Sequence, residues 1–394
     1  MVRRAIYRFW EAFRKGDLVL LLLCVVTTIF GCLMIASTTN GYDAGSSRYL
    51  IVQIGASLAG IVFFVIISAI DTDFFSEHRI LLVLGNIALL LLLIPFGVRV
   101  NGNRSWLRLP LLPFNIQVAE ICKITFILIL ASVMAARQNS ISSFKSVGHM
   151  LFHLILLFAA SYFLSDDLGV SLIFVFIFAG MTFSGGVSIF WFLLAGSLIA
   201  VTVPIAWNFI LADYQKKRIQ VLFDPSLDPY GTGPMYHAVR ALRSLTGGSL
   251  MGQGLFQCNR TQTGALFAQH TDFIFSAIGE EMGFVGCTLV LLLLGAIVIR
   301  CIWVGIRSQD TLRRLVCFGA ASALIFQVVV NIGMCIGVMP VIGLTLPFIS
   351  YGGSSIITLY AMLGLVSGVY ARPAATSHER YIRPPQDYQG GLRL

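Results

Sequence analysis

The sequence predicts an all-α polytopic membrane protein of about ten transmembrane helices with one large outer, extracytoplasmic loop. Two observations carry this. Of 394 residues, 57% are hydrophobic and only 11% charged, against roughly 25% charged in soluble proteins. The apolar residues also fall in runs of roughly 20, the length that crosses a hydrocarbon core of about 30 Å. A soluble chain of this size would divide into charged-surfaced domains of under ~300 residues. In a soluble chain, the net charge of +9 would suggest a nucleic-acid partner. Here the basic residues lie between apolar runs, so they report topology and no nucleic acid is expected.

The first span, about 18–36, follows Arg3, Arg4, Arg8, Arg14 and Lys15. Its apolar run exceeds the 7–15 residues of a signal peptide, so it reads as an uncleaved anchor. Spans at about 49–70 and 80–98 come next. The fourth, 116–136, carries Glu120 and Lys123, three apart and therefore on one helical face. Charge inside a membrane costs a few kcal/mol, so this pair either locks helices together or contacts substrate. Spans 149–165, 168–184 and 188–212 follow. His149 and His153 share a face at i, i+4 but have no acidic neighbour, which reads as packing.

Residues 213–270 form the large polar loop. Within it, YHAVRALRSL (236–245) puts Ala238, Leu242 and Leu245 on one helical face and Arg240 and Arg243 on another. A short helix at the membrane interface, ended by Gly247 and Gly248, is expected. Asp224-Pro225 and Asp228-Pro229 read as turns.

Span eight, 271–299, opens on Thr271-Asp272, where a helix N-cap belongs. The alternative is a carboxylate at the outer surface, its pKa raised by partial desolvation toward use as a base. Glu280 and Glu281 would then sit about nine residues in, roughly 12–14 Å deep. Spans 315–337 and 351–371 complete the set, and 372–394 is a tail. Gly352-Gly353-Ser354-Ser355 opens the last span and offers helix amides to an anion.

With the N-terminus inside, 16 of the 27 Lys and Arg fall in inner segments and ten in outer ones, while Lys123 lies within a span. The positive-inside tendency therefore favours cytoplasmic N- and C-termini. The outer cations, including Arg104, Arg108, Lys216, Lys217, Arg218, Arg240 and Arg243, oppose that tendency. Either they bind headgroups or something anionic, such as a lipid-linked pyrophosphate, justifies them. Of the eight cysteines, seven lie in or beside apolar spans and Cys258 alone in the loop. No disulfide framework or zinc site is expected.

The stretch from Asn331 through Pro340, Pro347 and Tyr351-Gly352-Gly353 to Ser355 resembles the signature of the SEDS family (shape, elongation, division and sporulation). These are bacterial peptidoglycan polymerases with RodA and FtsW branches. His270-Thr271-Asp272 through Gly279-Glu280-Glu281 to Gly286 resembles a second signature, with Asp272 at the family's essential aspartate. Asp213 through Arg218 to Asp224-Pro225, together with Thr261-Gln262, resembles the RodA branch. The resemblance covers nearly the whole chain as a single membrane domain. It departs where Ser105, not arginine, precedes Trp106, where Val118-Ala119 precedes Glu120, at Asp166-Asp167-Leu168-Gly169-Val170, and at Phe267-Ala268.

The resemblance implies a glycosyltransferase of the bacterial cytoplasmic membrane that polymerises lipid II into glycan strands on the outer face, with a role in elongation. It implies Asp272 as the catalytic carboxylate. Substrate contacts would come from Arg104, Trp106, Glu120, Lys123, Lys216, Arg218, Arg240, His270, Ser354 and Ser355. A divalent cation, Mg or Mn, could bridge the phosphates, although no ligand set stands out. The implied partner is a class B penicillin-binding protein. Two other readings are a flippase of the lipid-linked precursor, which calls for a full-depth polar path, and a non-catalytic scaffold.

Overall fold

The computed structural model describes residues 13–40, 46–100, 103–108, 114–165, 167–209, 213–228, 233, 235–264, 266 and 268–372. Among these, nine helices are long and apolar enough to cross a membrane and a tenth is slightly shorter. They are α1 (Leu18–Thr39), α2 (Ser46–Ala69), α3 (Arg79–Phe96), α4 (Val118–Ala135), α5 (Phe144–Ser165), the shorter α6 (Leu168–Ser184) and α7 (Ile189–Phe209). After α8 (Asp213–Phe223) and α9 (Tyr236–Gly247) in the long loop come α10 (Ile274–Arg307), α11 (Thr311–Cys335) and α12 (Gly353–Ala371). The ten expected spans are thus all helical. The third ends earlier than expected, because Gly97–Val100 (β1), Asn103–Leu107 (β2) and Ile116–Gln117 (β3) form a small antiparallel sheet over one end of the bundle.

The principal seam runs between α2 and α12, far apart in the chain. Gly364 and Gly368, four residues apart, face the α2 backbone. A Cβ on Gly364 would lie 2.6 Å from the Phe64 carbonyl oxygen and one on Gly368 3.1 Å from that of Ser68. Small residues at this spacing let helices touch where no hydrophobic force drives them together. At the end away from Asp272, ion pairs fasten the bundle. Arg300 bonds both oxygens of Asp17 (2.8 and 3.0 Å), and Arg313 reaches Asp71 and Asp73 (3.3 and 3.2 Å). Asp17 also caps α1 through the Leu20 amide at 3.0 Å.

The 34 residues of α10 would extend about 51 Å as one helix, far beyond a hydrocarbon core of about 30 Å. It is in fact broken at Gly283, which has φ 64° and ψ −157°. Residues 274–281 are buried throughout. Beyond the break, Phe284 (65% exposed), Leu292 and Ile299 face outward as lipid contacts do. The loop replaces the bonds lost at the break. Gln253 N donates to Glu280 O (2.9 Å) and Gly254 N to Glu281 O (3.0 Å), while Phe284 N donates to Ser249 O (2.9 Å). The expected depth of Glu280 and Glu281 is corrected accordingly. They belong to a half-helix wrapped by protein, ahead of the 24 residues that span, and the loop backbone supplies what lipid could not.

The predicted helix at 236–245 forms, but its role differs. Ala238, Ala241 and Ser244 are buried and Leu242 is 40% exposed, with Ala241 packed in one core with Ile274 and Ile278. Thus α9 rests its buried face on the half-helix of α10. The expected turn at Asp224-Pro225 forms, while Pro229 of the second lies outside the described residues. Asp224 accepts from Ser226 N (3.1 Å), and Asp228 accepts from Gly233 N and Met235 N. All eight cysteines are free thiols.

Candidate active site

Asp272 precedes α10 in a turn whose main chain is held at three successive residues. Tyr351 N donates to His270 O (2.8 Å), Ser350 Oγ to Thr271 O (2.6 Å), and Asn331 Nδ2 to Asp272 O (2.9 Å). Asn331 also donates to Leu344 O at 2.7 Å, so α11, the 338–352 loop and this turn share one node. The capping reading fails here. The N-cap of α10 is Phe273, with no side-chain cap bond, and the Asp272 carboxylate is not used for that purpose. It stays partly accessible and faces Gly343, where an added Cβ would lie 3.7 Å from Oδ2. Burial, then the negative charge of Asp167, push its pKa up to about 6, and a hydrogen bond from Thr271 acts against them.

Asp167 begins α6 and accepts the Val170 amide at 3.2 Å. Its other oxygen accepts from Ser105 Oγ at 3.1 Å. The sheet therefore brings Ser105, the residue departing from the arginine that the resemblance leads one to expect, onto the carboxylate next to Asp272. A neutral hydroxyl stands where a cation would have compensated the charge. Burial accordingly raises Asp167 as well, with these bonds lowering it only in part. Arg104 does not substitute, because its guanidinium folds back onto the Ile94 and Gly97 carbonyls.

Glu120 and Lys123 form the expected pair at 2.8 Å, and Lys123 is wholly buried. Thr358 donates to the same carboxylate (3.1 Å) and Lys123 to Gln327 (3.4 Å), so the pair joins α4, α11 and α12. This arrangement favours the lock over substrate contact. Lys123→Met should destabilise the fold by about 3–5 kcal/mol by stranding a buried carboxylate, and adding Glu120→Gln should recover most of the loss. Thermal unfolding in detergent reads both. A normal midpoint with weakened substrate binding in Lys123→Met would instead give the lysine a ligand role.

The remaining candidates scatter. Arg240, Arg243, Arg260 and Ser244 line a concavity of about 190 Å³ on α9 and the following loop, and Arg240 lies 4.1 Å over the Tyr236 ring. Trp106 is half-buried in β2 opposite Gln117. Lys216 is half-buried on α8, and the Arg218 side chain lies outside the described residues. Ser354 Oγ accepts the Gln117 amide at 3.1 Å, and Ser354 and Ser355 are both buried. The anion site expected at the start of α12 is closed by the Phe114 ring against Gly353.

The family model for FtsW, RodA and SpoVE, described as cell cycle protein, matches residues 17–373. The chain belongs to the FtsW/RodA/SpoVE family. It is 33% identical over 367 residues to the peptidoglycan glycosyltransferase MrdB of Escherichia coli K12, covering 92% of this chain and 95% of that protein. It is 30% identical over 376 residues to the probable peptidoglycan glycosyltransferase FtsW of Geobacter metallireducens, covering 92% and 96%. Among solved structures, it resembles the rod shape determining protein RodA of Thermus thermophilus, with TM-score 0.67 at 26% identity over 92% of this chain and 98% of that one. A chain of a peptidoglycan synthase complex, solved for the coordination of polymerization and crosslinking, gives TM-score 0.76 at 28% identity, covering 90% and 97%.

Within this FtsW/RodA/SpoVE chain, residues absent from the sequence reading do much of the positioning. Gln53, buried on α2, accepts the Gly352 amide (3.1 Å) and donates to Ser350 O (3.3 Å). Gln269 donates to Thr38 O and Thr261 O, and Glu280, which the sequence had already marked, accepts from Thr261 and the Arg260 amide. At Gln53 a buried amide within an apolar run was the available signal, since it must find partners. Among the described residues no three ligating side chains converge, and both Asp167 oxygens are engaged by Ser105 and the Val170 amide.

Proposed function

We propose that this chain is a peptidoglycan glycosyltransferase that polymerises lipid II at the outer face of the bacterial cytoplasmic membrane, both termini cytoplasmic, during cell-wall elongation. Asp272 carries the reading. It is a carboxylate raised to about 6, partly accessible, held by its main chain and not consumed in capping. In the reaction, the 4-hydroxyl oxygen of the acceptor sugar bonds to the donor's anomeric carbon as the bond from that carbon to pyrophosphate breaks. Asp272 accepts the hydroxyl proton, and the leaving group departs with the bonding electrons and its negative charge. The arginines around the α9 concavity are our candidates for that charge. A class B penicillin-binding protein that crosslinks the product is the partner we propose.

The purified chain with its partner should convert labelled lipid II into a polymer ladder on a gel, and absence of polymer would overturn the reading. A base works only when deprotonated, so the rate should fall as pH drops through about 6. Asp167→Asn keeps an N-cap while removing the charge that raises Asp272. It should therefore shift this acid limb to lower pH. An unmoved limb would dissociate Asp167 from the titration.

A further inference from the structure

We infer that Tyr49, His270 and Tyr351 form a platform for the pyranose ring of a β-1,4-linked, N-acetylated aminosugar, on the segment that leads into Asp272. This rests on the glycosyltransferase reading and names where that site holds its glycan. Three segments supply the cluster, with Tyr49 from the first turn of α2, His270 two residues before Asp272, and Tyr351 ahead of α12. The ring centroids lie 4.8 Å apart for Tyr49 and His270, 5.0 Å for Tyr49 and Tyr351, and 5.8 Å for His270 and Tyr351. All three residues are half-buried, so each is open on part of its surface.

The platform is built in advance of any ligand. Tyr351 N donates to His270 O at 2.8 Å. One turn along α2 from Tyr49, Gln53 bonds Gly352 N and Ser350 O. Such rigid backing keeps aromatic faces in place, which lowers the cost of binding. The chemistry suits a sugar. A pyranose offers apolar C–H faces and a rim of hydroxyls, and the half-buried cluster offers aromatic surface with two phenols. Burial lowers His270 to about 4 and raises Tyr351, so both rings are neutral at neutral pH. Arg48, exposed at the rim, is the cation that acts on Tyr351. This wall is therefore poor in charge, whereas a pyrophosphate would seek the arginine-lined concavity on α9.

The probe is chitotetraose, added to the full chain in detergent micelles and followed by saturation-transfer NMR. Wild type and Asp272→Asn should both bind it, and Tyr49→Leu/Tyr351→Leu should weaken binding about tenfold. The matching Phe pair keeps the rings and should stay within about threefold of wild type. Monodispersity in detergent checks folding of each variant. Absence of transfer to wild type, or equal binding by the Leu pair, would overturn the platform. Polymer without tetramer binding would sink the platform and leave the glycosyltransferase standing. Tetramer binding without polymer would do the reverse. In Asp272→Asn, displacement of the tetramer by lipid II assigns the ring to the donor, and simultaneous binding assigns it to the acceptor.

Discussion

Asp272→Asn should abolish polymer formation, lowering turnover by at least about 10²-fold, the lower end for loss of a general base, while leaving the protein folded. The two halves of this expectation have separate grounds. Asparagine has the shape of aspartate but accepts a proton poorly. The fold does not depend on the charge, because the backbone at 270–272 is held by Tyr351, Ser350 and Asn331 and no helix cap is lost. The stability sign can also be worked out. A carboxylate whose folded pKa is raised to about 6 is disfavoured by folding when ionised. The asparagine variant should therefore unfold at an equal or higher temperature than wild type at pH 8. That gain should shrink as pH falls below about 6 and vanish only below the ordinary value of 3.8, where the wild-type group is protonated in both folded and unfolded states. Polymer at the wild-type rate would remove Asp272 from the chemistry. A lower melting point at pH 8 would return it to a structural part.

Gly283→Val should have the largest effect on folding. With φ 64° and ψ −157°, this residue occupies backbone space that is essentially glycine's alone. A Cβ there would meet Gly252 N at 2.4 Å and the Leu250 carbonyl at 2.6 Å, both main-chain atoms that cannot swing aside. We expect a loss of more than about 3 kcal/mol, seen as little monodisperse protein after detergent extraction. Gly295→Ala, in the same helix, is the control. Nothing lies within 4 Å of its Cβ, so alanine should be neutral or stabilising by up to about 1 kcal/mol. Wild-type yield and melting for Gly283→Val would mean that the break is not required.

The spans were legible because a bilayer demands about twenty apolar residues in a row, and no soluble alternative writes that pattern. The Glu120–Lys123 pair was legible for a similar reason, since charges three apart must meet on a helix. The break at Gly283 was not. Residues 273–299 read as one apolar run, and what divides it is bonding from Ser249, Leu250, Gln253 and Gly254 of the preceding loop. Spacing cannot reveal a partner 30 residues away. The capping reading of Thr271-Asp272 failed in the same way. The pattern was right for a cap, but Asn331 and Ser350 hold the turn from elsewhere. Gln53, which meets Gly352 from 299 positions earlier, was invisible until the helices were set side by side.

The seam between α2 and α12 bears on how the chain is made. Ribosomes deliver α2 long before α12, and Ser68 meets Ser367 across 299 positions of sequence. Throughout synthesis of the seven intervening spans, the polar groups of α2, Gln53 and Ser68 among them, face the bilayer or a temporary companion. The central contact of the bundle therefore closes only after α12 has been made, long after its partner helix. A nascent chain stalled before residue 353 holds every other span and still lacks half of that seam.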